Sequence, residues 1–391
     1  MYLVFVLSII INFSYYTVKK FGIPIIPFTT LLATIPLAKK LMVNISRKEN
    51  IIDHRIRNIL FLIITFSIVY TSIGSINTYV PILKSYPYHL LTGLTILLYL
   101  TLFIDNDYKL NKILEVIVLG GIILGVTNIV DAYKSIHLTG FRTRGWIGAS
   151  NEAAFIMNLC IFTTIYLEKR FHYSRKKLFL IRIFYCISIL LTLSRGGITL
   201  AIILLISNIK FSKKQIIFYL LTLIIAIQAF YLISNIPIFS RLNFDRLFMK
   251  ESSSIVEYSN GRLPALLASI RIFLENPIVG VGIGNSLLES DKYLNGFTYV
   301  RAHNTWGLVL SETGFIPFTI LVTTFITILS TIKSSICIEY RKIYRLFIYI
   351  LIFQTFLSHN VLFYRQTWLF LGIVLSDINM INKNSSITTT V

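Results

Sequence analysis

Charged residues are scarce in this chain. Only 14% of its 391 residues are Asp, Glu, Lys or Arg, and the acidic ones number 17 against 37 basic. A soluble domain carries roughly a quarter charged residues, so a water-soluble class is excluded. Cysteine is nearly absent: Cys160, Cys186 and Cys337 stand alone, with no CxxC pair, which excludes a disulfide framework and a cysteine zinc site. The first residues, "MYLVFVLSIIINFSYYTVKKFGIP", lack a basic leader and a small-residue cleavage site. They read as a retained first span.

What is present is apolar. Hydrophobic residues make up 55% of the chain and its mean hydropathy is +0.73. Apolar runs of about 20 residues recur, long enough to cross a hydrocarbon core. Backbone groups in lipid need partners within their own segment, so the spans are helices. The fold class expected is an all-α polytopic membrane protein with about 12 transmembrane helices. The spans fall at roughly 2–18, 22–38, 58–74, 87–104, 113–131, 152–167, 178–194, 196–209, 215–234, 305–330, 344–358 and 361–378. The 178–209 region also reads as one broken hairpin. Three parts result: nine spans over 1–234, one large extracytoplasmic loop over 235–304, and three spans with a cytoplasmic tail over 305–391.

The net charge of +20 raises nucleic acid as a partner, but the basic residues sit in short loops between apolar runs. The densest are "AKKLMVNISRKENIIDHRIRN" and "EKRFHYSRKK", followed by "KFSKK" and "IKSSICIEYRKIYR". Under the span count all four fall on one side, which the positive-inside rule makes cytoplasmic. Nucleic acid is therefore not an expected partner, whereas membrane lipid is. The outer face then receives the segment 133–152, the turn "SRGG" at 194–197, the loop 235–304 and the segment 358–366. The one DxD-like element, Asp105-Asn106-Asp107, falls in a cytoplasmic loop and reads as solvated; no outer pair of carboxylates has metal-ligand spacing, and no metal or cofactor is expected.

Arg195 interrupts "ISILLTLSRGGITLAIILLISN", apolar for a dozen residues on both flanks. An arginine there is costly unless it meets a partner or a wet cavity; it either snorkels to the headgroups or binds an anion, with Gly196 and Gly197 opening the backbone beside it. In the outer loop, "NGRLPALLASIRIFLENP" predicts a helix: Asn260 and Gly261 enter it, Pro264 suits its first turn and Asn276-Pro277 ends it. Leu263, Leu266, Leu267, Ile270 and Leu274 are expected on one apolar face. Arg262 then sits at the helix N-terminus, where free N–H groups favour anions, with Arg271 further along. The alternative is a lid helix lying on the membrane. "VGVGIGNS" lacks the strand of a nucleotide-binding unit and reads as a close-packed turn.

"RAHNTWGLVLSETG", 301–314, stands at the entry of the tenth predicted span. His303 has a pKa suited to taking a proton from a sugar hydroxyl, although a lone histidine here is also a common packed interfacial residue. Asn304 either orients a substrate or caps the helix. Glu312 lies too deep for an exposed role and either pairs with an arginine or organises the outer cavity. Arg301, Arg262 and Arg195 beside one base suggest phosphate clamping with deprotonation of a nucleophile. A second pair, His359-Asn360, is expected outside as a loop element or a further polar contact.

Taken together, "RGWIGASNEAA", "LSRGG", "NGRLPALLASIRIFLENPIVGVGIGNS" and "AHNTWGLVLSETG" resemble the successive blocks of the O-antigen ligase/polymerase superfamily. The resemblance covers roughly 140–330 at motif level. It implies an integral enzyme of the bacterial cytoplasmic (inner) membrane that moves glycans, on the outer side, from undecaprenyl diphosphate to an acceptor glycan, either lipid-linked or on lipid A–core. It further implies that Arg195 and Arg262 hold the diphosphate, that His303 activates the acceptor hydroxyl, and that the anomeric carbon inverts without metal. Arg301, Asn304 and Glu312 join the substrate-binding set, and Arg142, Arg144 and Asn151 would line the donor side. A polymerase is favoured over a ligase by the compact outer loop and AT-rich composition, with a chain-length regulator as a further candidate partner. A transporter of lipid-linked oligosaccharide is the reading from another class; it would show repeated halves, and none is visible.

Overall fold

In the computed structural model the residues described are 2–10, 52–75, 85–135, 142–147, 149–207, 262–294, 304–335, 338–358 and 360–388. Among them every regular element is helical. We number the α-helices in chain order: α1 Tyr2–Ile10, α2 His54–Ser75, α3 Ser85–Phe103, α4 Asp107–Ser135, α5 Ser150–Arg170, α6 Arg175–Leu191 and α7 Arg195–Ser207. After these come α8 Arg262–Glu275, α9 Asn285–Ser290, α10 Thr305–Thr313, α11 Phe315–Ser335, α12 Ile338–Leu357 and α13 Arg365–Thr388. Three of these, α2, α4 and α11, contain stretches long and apolar enough to cross a bilayer: His54–Ser75, Asp107–Ser135 and Phe315–Ser334. The chain is thus a helical membrane protein. The second and ninth predicted spans lie outside the described residues.

One predicted span takes a different form. The run 305–330 is not one helix: it breaks at Gly314 into α10 and α11. Gly314 has φ +76°, and a Cβ there would lie 2.3 Å from the Ile278 carbonyl oxygen, so the polypeptide turns where only glycine fits. The 178–209 region is a broken hairpin, α6 and α7, joined through Leu193 at φ +49°.

The chain divides into two compact units interleaved in sequence: 1–25 with 111–251, and 26–110 with 252–391. In the first unit α5 is the central helix, buried without interruption from Ala153 to Leu167. Small residues set its packing distances, as expected where lipid removes any hydrophobic preference between apolar surfaces. A Cβ at Gly197 would lie 2.5 Å from that of Ala154, so α7 rests directly on α5. Asn158 bridges the same helices, its Nδ2 donating to the carbonyls of Ala154 and Gly197 at 2.9 Å each. Arg182 of α6, only 4% exposed, donates to Thr164 Oγ1 at 2.8 Å, to Thr164 O at 3.0 Å and to Glu168 Oε2 at 2.6 Å.

In the second unit α13 packs along α3. The Trp368 ring occupies the space a Cβ at Gly93 would need, and Ser376 Oγ donates to Leu100 O at 2.9 Å. Asp105 and Asn106 lie exposed between α3 and α4, where Lys109 Nζ meets Asp105 at 2.7 Å and Asn106 Oδ1 caps the Lys109 amide at 2.9 Å.

The Arg182–Glu168 pair supports a direct stability test. Glu168→Ala leaves a buried guanidinium without its carboxylate, a loss of about 3–5 kcal/mol. The expected outcome is a clearly lowered unfolding midpoint for the detergent-solubilised protein, with Glu168→Gln milder; an unchanged midpoint would contradict the account.

Candidate active site

The second unit contains a parallel helix pair, α8 and α10. Near their starts, a Cβ at Gly307 would lie 3.1 Å from Leu266 Cδ1 and 3.4 Å from Ser269 Cβ. Near their ends, Phe315 N donates to Pro277 O at 2.9 Å. The two N-termini therefore share one end. Arg262 is the first residue of α8 and half-buried. Asn304 is the N-cap of α10, its Oδ1 accepting from Gly307 N at 3.0 Å; of the two roles expected for it, capping is the one observed. Arg301, His303 and His359 lie outside the described residues.

The same end of α10 is tied to the C-terminal end of α12 and the residue after it. Thr305 Oγ1 donates to Ser358 O at 2.5 Å and Asn304 Nδ2 to Phe356 O at 3.5 Å. Trp306 sits among Phe318, Phe325 and Phe356 with ring centroids 5.7–5.9 Å apart. Asn360 opens the 3-10 turn Val361–Phe363.

The apolar face expected for α8 is present, and it is the outward one. Leu263, Leu267, Ile270 and Leu274 are exposed, by 37–68%, while Ala265, Ala268, Ser269 and Ile272 are buried. Small side chains are buried because α10 approaches through Gly307, and bulk there would hold the helices apart. Between α8 and α9 the glycine-rich turn follows its expected close-packed course, with φ +63°, +92° and +86° at Gly280, Gly282 and Gly284.

Glu312 is the centre of this region and has no solvent exposure. Its Oε1 accepts from Gly284 N and from Ser286 Oγ, both at 2.8 Å, and its Oε2 from Tyr70 Oη of α2 at 3.2 Å. Backbone bonds continue the attachment: Val281 N to Ser311 O and Gly282 N to Glu312 O at 2.9 Å, and Ile283 N to Gly74 O at 2.9 Å. A Cβ at Gly280 would lie 2.4 Å from the Glu312 carbonyl carbon. These bonds tie the glycine turn and α2 to α10 through the Glu312 side chain.

The first unit gathers the earlier motif blocks. Arg142 Nε donates to Thr192 O at 3.1 Å and its Nη2 to Asn151 Oδ1 at 2.9 Å. Ser194 Oγ donates to the same Asn151 oxygen at 3.1 Å, and accepts from Gly197 N at 3.3 Å. Asn151 thus joins "RGWIGASNE" to "LSRGG". Arg195, half-buried, is the first residue of α7, and Arg144 is exposed. The turn holding Arg144 is fixed by Asp131 at the end of α4, whose Oδ2 accepts from Arg144 N at 2.9 Å and Gly145 N at 3.1 Å.

Sequence reasoning missed four of these participants. Arg182 interrupts an apolar run much as Arg195 does, and that same signal could have found it. Asp131, Tyr70 and Ser286 gave none, being ordinary polar residues near helix ends that matter only through distant partners.

Residues 178–322 match a family model described as O-antigen ligase. The matched stretch covers less than half of the chain and contains Arg195, Arg262, Arg301, His303, Asn304 and Glu312, whereas Arg142, Arg144 and Asn151 precede it. No curated protein matches the chain. The chain is a helical membrane protein in which residues 178–322 are similar to the O-antigen ligase family, consistent with the resemblance to the O-antigen ligase/polymerase superfamily.

Proposed function

We propose that this protein is a glycosyltransferase of the bacterial cytoplasmic membrane that polymerises undecaprenyl-diphosphate-linked repeat units on the outer side. The observation that carries the reading is the parallel α8–α10 pair inside the family match. It brings Arg262 and the Asn304 cap, which follows His303 in sequence, to one end.

In this reading guanidinium groups of Arg195, Arg262 and Arg301 hold the pyrophosphate through paired N–H donors. The Arg142–Asn151 pair and Arg144 belong to the donor side. His303 takes the proton from the acceptor hydroxyl. The acceptor oxygen bonds to the anomeric carbon from the face opposite the leaving group, and the carbon–oxygen bond to phosphate breaks. The electron pair leaves with the lipid diphosphate, where the arginines neutralise the growing charge. The acceptor is a second lipid-linked glycan, and a chain-length regulator is a candidate partner. A ligase reading, with lipid A–core as acceptor, is favoured by the description of the matching family; both break the same bond.

Complementation of a deletion strain separates the two. If the wild-type gene restores a ladder where the null shows one repeat unit on core, the protein is a polymerase; a null with polymer retained on the carrier and none on core marks a ligase. His303→Ala is expected to abolish transfer at normal protein level, a loss of at least about 100-fold for a missing general base. Arg195→Lys is expected to fall by about tenfold or more, since a lysine cannot present the bidentate fork. Wild-type glycan from both variants would end this mechanism.

A further inference from the structure

We infer that Glu312 is a positioning residue, holding α8 and α10 in register so that Arg262 and the Asn304 end of α10 keep a fixed separation. The inference rests on the proposed transferase reading. Glu312 lies two helical turns from the Asn304 cap and acts at the opposite end of the pair. There its carboxylate binds three donors from two elements: Gly284 N and Ser286 Oγ from the glycine turn and the start of α9, and Tyr70 Oη from α2.

The glycine turn is appressed to the α10 backbone at Gly280, and Gly314 to the carbonyl of Ile278, with no room for a Cβ at either place. Because α8 ends at Glu275 and the turn follows directly, moving the turn moves α8 along α10. Reacting groups displaced by about 1 Å can lose about 100-fold in rate, so a remote carboxylate can control chemistry it does not touch.

This role makes an unusual demand on substitutions. Glutamine keeps the length and can keep all three contacts: its oxygen accepts from Gly284 and Ser286, and its amide donates to the Tyr70 oxygen, since a hydroxyl both donates and accepts. Aspartate keeps the charge but is one methylene shorter and cannot reach both sides. Positioning therefore orders activity Gln above Asp; a charge or proton role in the reaction orders it Asp above Gln.

The test uses full-length variants in membranes of the deletion strain, supplied with lipid-linked repeat units extracted from that strain. Initial transfer rate against donor is read per folded protein. Glu312→Gln is expected within about threefold of wild type. Glu312→Asp and Glu312→Ala are expected to lose about 10- to 100-fold in kcat with KM for the donor little changed, because binding groups stay while their alignment shifts. Tyr70→Phe, which removes one contact from α2, should fall between. Glu312→Asp as active as Glu312→Gln, or Glu312→Ala with wild-type kcat per folded molecule, would overturn the inference. The isosteric glutamine keeps the comparison open should the alanine variant fail to fold. His303→Ala, run alongside, reports on the transferase reading itself, because its retention of full rate would sink that reading whatever the order at Glu312.

Discussion

A buried carboxylate with no water around it is expensive unless donors surround it. Glu312 meets that condition with a hydroxyl from each of two elements and one backbone amide. The arrangement of the second unit depends on this. Without the carboxylate, Gly284 N and Ser286 Oγ face a gap, the glycine turn loses its side-chain attachment to α10, and the α2 end at Tyr70 loses a partner. The backbone bonds from Val281, Gly282 and Ile283 hold the same turn alongside it. Charge here serves geometry.

The arginines of the two units show how context separates like residues. Arg182 is nearly sealed and its donors are spent on Thr164 and Glu168, an internal settlement of the cost of burial. Arg195 and Arg262 are half-buried and each begins a helix. A guanidinium at such a place adds to the free N–H groups of the first turn, and the two features favour the same kind of ligand. Burial and position in the helix set these arginines apart, although both kinds interrupt apolar sequence.

Much of this was legible in the chain alone. Hydropathy located the helices, and the proline, glycine and asparagine punctuation placed the start of α8 and the cap of α10. The glycine spacing announced a tight turn at 280–284. Periodicity placed Leu263, Leu267, Ile270 and Leu274 on one face of α8, and they share it, but it does not say which face packs. The buried one is Ala265, Ala268 and Ser269, because close approach to Gly307 decides the packing. The break at Gly314 was hidden likewise: its cause is the Ile278 carbonyl, far away in sequence. Asp131 and Tyr70 were silent because their importance comes from backbone amides and a carboxylate contributed by other segments.

The anchoring of the glycine turn also limits how this part of the chain can evolve. Ser286 is held by Glu312, and Asn304 is held as the cap of α10. Gly280 and Gly314 lie against backbone atoms of Glu312 and Ile278, and backbone cannot be trimmed as a side chain can. A single substitution at either glycine therefore has no one compensating change available to it. Leu288, exposed just beyond the turn, carries no such restraint, so variation is open beside a frame that cannot vary.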